Sequence, residues 1–292
     1  MNAGLGNNGT YAQAGALVSK GLSALDTTFR IGTYTSANPQ NNYLSFLSVM
    51  ATEDNTTINF NNLPLGLLLE SSLGTTAVTG PITITLNEGE SYIIAINANT
   101  NGPGANGLMD GLIGCLVAAD KPIAVNCGSA TGSFGNGGAR DYGIDQIAGL
   151  SKIGNEYIFV RGNGNNDWEN VIIVAHTDNT TISINGNTPS VTINAGEYFV
   201  IEGNNYNTAG NMYVETSQNV FAYQGIGSNS EANQGMFFVP PLSCETRGNI
   251  DNIPIIDFIG NTPYTENSGV SIVTKVGATV TINNQPLTVT PN

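Results

Sequence analysis

One histidine limits the acid–base chemistry open to this chain. His176 is the sole imidazole, so a Ser-His-Asp relay would have to be built around it. It stands in Ala175-His-Thr-Asp-Asn-Thr-Thr-Ile182, a stretch that reads as a tight surface turn, and no Gly-x-Ser-x-Gly elbow accompanies it. No enzyme is expected. The Gly-rich run from Gly128 to Gly138 has the glycines of a phosphate cradle but lacks the lysine and the following helix that a cradle needs. It reads as a long connection at the end of a sheet, and its length makes it a functional-loop candidate.

Trp168 is the sole tryptophan, set in the polar loop Arg161-Gly-Asn-Gly-Asn-Asn-Asp-Trp-Glu-Asn170. An indole projecting beside Asn165, Asp167 and Glu169 is the arrangement that stacks on a sugar ring and hydrogen-bonds its hydroxyls. The competing reading folds the ring back as a lid over the core. Glu53, Asp54, Asp141, Asp145, Asp167 and Glu169 are the acids most open to a cation. Calcium is the one cofactor they admit, but the D-x-D-x-D-G spacing of a calcium loop is absent, so solvated turns are the plain reading and no cofactor is expected. Cys115 and Cys127 flank Ala119-Asp-Lys-Pro122, which reads as a turn, and so they form either a cross-strand disulfide or two buried thiols. Cys244 completes an odd count and has no local partner.

The elements that must carry these residues are strands. Only 10% of the 292 residues are charged, well under the usual quarter of a soluble domain, and Asn, Thr, Ser and Gly supply the polarity instead. Thr suits half-buried pleated positions, and Asn and Gly accept the positive φ of tight turns. The net charge of −14 repels phosphate backbones and anionic lipid, which excludes nucleic acid as a partner. No run of about 18 apolar residues predicts membrane insertion, and no charged start followed by an apolar core predicts a signal peptide.

Self-comparison organises the chain. Ala51-Thr-Glu-Asp-Asn-Thr-Thr-Ile58 recurs as the segment around His176, an offset of 124 residues. Ile84-Thr-Leu-Asn-Glu-Gly-Glu90 recurs as Val191-Thr-Ile-Asn-Ala-Gly-Glu197, and Leu116 to Val125 recurs as Tyr213 to Ala222, with Gly128 and Gly225 closing the copies. Residues 270–282 match the first hairpin a third time. The expected organisation is an N-terminal segment at 1–16, a first repeat at 17–149, a second at 150–241 and the start of a third at 242–292. Six or seven short strands per copy predict an all-β chain of tandem antiparallel β-sandwich-like repeats, with a β-propeller-like assembly as the alternative. Any helix is expected within residues 1–20, where the stretch from Tyr11 to Val18 is Ala-rich.

Thr52-Glu-Asp-Asn-Thr-Thr57, Leu86-Asn-Glu-Gly-Glu90, Asp120-Lys-Pro-Ile-Ala-Val125 and Asp178-Asn-Thr-Thr181 with Asn194-Ala-Gly-Glu197 stand in an order that resembles the IgGFc-binding protein N-terminal type domain. The stretches Tyr142-Gly-Ile-Asp-Gln-Ile147 and Gln234 to Cys244 are similar to the version found in Bacteroidota. That resemblance implies a non-catalytic, adhesin-type module of a large surface protein, exported by the type IX route and tied to gliding or adhesion. It further implies an extracellular or outer-membrane address, neighbouring domains in a longer chain, and a glycan or protein on a surface as partner. A dedicated carbohydrate-binding domain and a structural spacer are the alternatives.

Overall fold

The computed structural model describes residues 2–7, 10–16, 19–37, 44–71, 74–134, 139–228, 232, 235–243, 258–259, 262–263 and 271–287. Among the described residues strands dominate and every pairing is antiparallel. At the start of the chain, β1 (Asn2–Asn7) and β2 (Thr10–Ala16) form a hairpin where a helix was expected. Gly4, Gly6, Gly9 and Gly15 account for the difference, since each glycine costs a helix about 1 kcal/mol relative to alanine.

The strands that follow are β3 (Asp26–Arg30), β4 (Ser36–Ala37), β5 (Leu44–Ala51), β6 (Thr56–Asn61), β7 (Leu68–Ser71) and β8 (Gly74–Ala77). Next come β9 (Ile82–Leu86), β10 (Ser91–Asn97), β11 (Leu116–Ser129), β12 (Gly132–Ser133) and β13 (Gly143–Ile147). A second series comprises β14 (Gly154–Val160), β15 (Val171–Ala175), β16 (Thr180–Ile184), β17 (Val191–Ile193), β18 (Tyr198–Ile201), β19 (Asn211–Ile226) and β20 (Gly235–Phe238). Two short pairs close the series: β21 (Phe258–Ile259) with β22 (Thr262–Pro263), and β23 (Thr281–Ile282) with β24 (Gln285–Pro286).

Two large sheets result, of nine and seven strands, and seven strands of the first are wired as the seven of the second, the hairpin of β7 and β8 beside β10 being the first sheet's addition. In the first, β11 pairs with β3 and β6 through Leu116–Ala118, then with β5 and β13 from Ile123 onward. In the second, β19 pairs with β14 and β16 up to Thr216, then with β15 and β20 from Val220. Each long strand is a spine that leaves one half-sheet and enters the other, so the sheet curls and its halves face each other like a sandwich. Val117, Phe60 and Phe29 from one half and Leu47, Val49 and Val125 from the other accordingly share one core.

The segment from Ala119 to Pro122 is therefore a kink within a continuous strand and not a turn between two. Pro122 has no N–H to give to a ladder, and the pairing of β11 with β3 is interrupted between Ala118 and Ile123. The break lets the strand change sheets without reversing.

Alternation explains how the two sheets meet. In β15, Val171, Ile173 and Ala175 point into the second sheet's own core, while Ile172 and Val174 point out of it and join the first core. In β19, Val220 and Ala222 point in, and Phe221 and Tyr223 point out. Strands buried on both faces lose the polar alternation of half-exposed ones, which is why β15 reads Val-Ile-Ile-Val-Ala. Each outward side chain contributes roughly 2 kcal/mol by leaving water. The junction admits only glycine at close approaches: a Cβ on Gly32 would lie 2.3 Å from the Tyr223 ring, and one on Gly114 would lie 1.8 Å from the Gly196 carbonyl oxygen.

Candidate functional site

The repeated motifs build one device twice. Asn55 and Asn179 adopt φ of 53° and 56°, the left-handed conformation that asparagine tolerates better than most residues. The preceding aspartate reaches across to the neighbouring turn. Asp54 Oδ1 accepts from the Glu88 N–H at 3.1 Å, and Asp178 Oδ1 from the Ala195 N–H at 2.9 Å. The neighbouring turn answers: Asn87 Oδ1 accepts from the Asn55 N–H at 3.3 Å, and Asn194 Oδ1 from the Asn179 N–H at 3.2 Å. Glu90 and Glu197 each accept from the N–H of the turn asparagine at 2.7 Å. At the spine kink, Asp120 and Ser217 accept from the N–H groups of Thr57 and Thr181 at 2.8 and 2.9 Å. The acids of these motifs thus clasp two hairpin turns and a strand kink, and Asp54 is committed to that work.

The loop carrying the sugar-stacking candidates is built on Glu169. Its carboxylate is fully buried and accepts from three backbone N–H groups: Gly162 at 2.8 Å, Gly164 at 2.6 Å and Gly227 at 3.1 Å. Space at the second position is reserved for glycine, since a Cβ on Gly164 would lie 2.6 Å from Oε1 and 2.9 Å from the Gly227 backbone. Glu169 is therefore not open to a ligand; it holds the loop to the end of β19. Arg161 adds a strap, donating from Nη1 to Asn166 Oδ1 and from Nη2 to the Gly164 carbonyl, both at 2.7 Å. Asn165 and Asp167 lie exposed on the outer side, and Trp168 is half-buried, its backbone N–H donating to the Asn165 carbonyl at 3.0 Å. The structure brings Asn165, Asp167 and Trp168 onto one turn and withdraws Glu169 beneath it.

His176 stands at the start of the expected turn and is half-buried there. Its ring lies 6.4 Å from that of Phe221, and its Nδ1 is shielded without a hydrogen-bond partner. Burial, and secondarily the charge of Arg30, hold its pKa below the usual imidazole value. Arg30 itself is buried at the junction of the two sheets, donating from Nη1 to Asn62 Oδ1 at 3.0 Å and to the Gly114 carbonyl at 2.8 Å. Beside it, a cleft of ≈370 Å³ is lined by Pro64, Asp110, Ile113, Ile193, Glu197 and Tyr198. The Tyr198 hydroxyl donates to Asp110 at 2.6 Å. Sequence reading did not find this cleft, because its walls come from segments far apart in the chain with no shared motif.

Cys115 and Cys127 are free, buried thiols, pushed up to about 12 chiefly by burial. They do not face each other across a hairpin, because β11 runs on through the kink and Cys127 pairs with Leu47 and Asp145 of its neighbours. Cys244 lies outside the described residues. Asp145 is likewise buried, accepting from Lys20 Nζ and, at 2.8 Å, from the Phe238 N–H of the second sheet. Among the described residues no three His, Cys, Asp or Glu side chains gather around a common point. Of the Gly-rich connection, Gly132 and Ser133 pair with β4 and the Phe134 ring packs, tilted, 4.8 Å from that of Tyr34, so this part is packed structure; residues 135–138 lie outside the described set.

Two curled antiparallel sheets that share a seven-stranded wiring, fused through one core and studded with loops braced by backbone hydrogen bonds, define a repeat-built β-module. Residues 15–292 match the family described as IgGFc binding protein, and the chain belongs to that family of binding domains. No curated protein and no solved structure matches the chain. No helix among the described residues is long and apolar enough to cross a membrane.

Proposed function

We propose that this chain is an adhesin-type module of a cell-surface or secreted protein, with repeats at 17–149, 150–241 and 242–292, and that the loop of residues 161–170 is its contact point. The observation that carries the reading is the bracing of that loop: a buried carboxylate with three N–H donors fixes a turn whose outward side offers Asn165, Asp167 and the exposed edge of Trp168. A pre-ordered loop loses little entropy on binding. An indole flanked by polar groups suits a sugar ring. The proposed setting is a large Bacteroidota surface protein exported by the type IX route and serving adhesion or gliding. The net charge of −14 disfavours nucleic acid and anionic lipid as partners.

The test is a glycan array run with and without calcium, beside immobilised IgG Fc and the Trp168→Ala variant. A hit lost in the variant supports a carbohydrate-binding loop. An Fc or other protein hit that survives the substitution moves the contact elsewhere on the module. Absence of any hit leaves a structural spacer and overturns the proposal for residues 161–170.

A further inference from the structure

The hairpin of β23 and β24 repeats the turn spacing of the two large sheets. Left-handed residues stand seven apart in all three places: Asn55 and Asn62, Asn179 and Gly186, Gly277 and Asn284. On this alignment Val280 corresponds to Ile58 and Ile182, and Ile282 to Phe60 and Ile184. In the sheets, β6 is held between β9 and the spine β11, and β16 between β17 and the spine β19. Ile58 and Ile182 are consequently buried. β23 has β24 on one side, extended by the Leu287 N–H donating to the Val280 carbonyl at 2.8 Å. On its other side no strand pairs with it among the described residues. Most of the apolar side chains stay outside: Val276 is 92% exposed, Ile282 48%, Ile272 and Val273 46% each, and Leu287 39%, while Val280 is half-buried.

We infer that β23 is the acceptor edge for a partner strand of the spine type, an extended segment alternating apolar and polar residues as Asn211 to Thr216 does. The occupant follows from the chain's own precedent, where that edge is taken both times by a spine and by no other element. Neither existing spine is free to serve, since β11 and β19 are each paired on both sides. The register follows as well: Ile182 faces Thr216 and Ile184 faces Val214, so Val280 and Ile282 would face the corresponding positions of the incoming strand. Backbone bonds would supply affinity and the apolar alternation would supply specificity, as in strand addition generally. The inference rests on reading residues 242–292 as a third repeat.

The probe is a synthetic peptide with the sequence of residues 211–226, titrated into the full chain. Saturable one-to-one binding is expected, with amide hydrogen exchange across residues 279–283 slowed about tenfold or more, and a scrambled peptide should not bind. The paired substitutions Val280→Asp and Ile282→Asp should abolish binding while leaving the thermal transition of the two sheets unchanged. The idea is overturned by no saturable binding, by equal binding of the scrambled peptide, or by protection appearing in the large sheets instead of at 279–283. Concentration-dependent dimers removed by the same substitutions would also overturn it, by making a second copy the occupant.

Discussion

Exchanging one oxygen of Glu169 for an amide separates the two roles a loop carboxylate can have. In Glu169→Gln the new NH₂ must face one of the three N–H groups that the carboxylate now accepts from, donor against donor in a buried site. A loss of about 1–3 kcal/mol is expected, read from urea unfolding, with faster amide exchange at Gly162, Gly164 and Gly227. If stability is unchanged and only binding falls, the carboxylate is a ligand group and the bracing role is wrong. His176 gives a pH dependence of definite sign. Unfolded, its imidazole titrates near 6.5; folded, burial first and Arg30 second hold it lower. The unfolded chain therefore binds the extra proton between the two values, so stability is full above the unfolded pKa and declines as pH falls toward the folded one. Since no other histidine exists, His176→Asn should flatten the change in urea midpoint between about pH 7.5 and about pH 5.5.

The hairpin turns were legible as turns because Asp-Asn and Asn-x-Gly-Glu carry their geometry locally. Their clasp was not, because it joins residues 15 to 34 positions apart. Asn55→Gly should cost little or stabilise, whereas Asn55→Ala at φ 53° should cost about 1–2 kcal/mol; equal effects of the two in thermal unfolding would show that the left-handed turn is not what the asparagine supplies. The spine escaped sequence reading for the opposite reason. Asp120-Lys-Pro122 is strong local punctuation, but tertiary pairing on both flanks carries the strand through it. Trp168 was readable as a loop residue, and the withdrawal of Glu169 beneath it was not, since a buried and an exposed carboxylate look alike in sequence.

At the scale of the whole molecule, the two sheets are expected to melt together. Ile172, Val174, Phe221, Tyr223, Met236 and Phe238 belong to the first core although they come from the second sheet, so separating the sheets would open the first core and expose the outward side chains of the second. Calorimetry should show one transition for residues 19–243, and Phe221→Ala should lower stability by about 3–5 kcal/mol while loosening both sheets. Two resolved transitions, or exchange loosened in one sheet alone, would contradict the shared core. The outer faces also differ in a way that bears on ancestry. Met50, Ala124, Ser48 and Asn126 occupy in the first sheet the register positions of Val174, Phe221, Ile172 and Tyr223 in the second. A gene rearrangement that carried the second sheet away from the first would lay bare a wall of large apolar side chains. The corresponding outer face of the first sheet is already dotted with serine and asparagine. The second sheet thus cannot be moved by recombination without the first, and the order of the two copies is written into their outer faces.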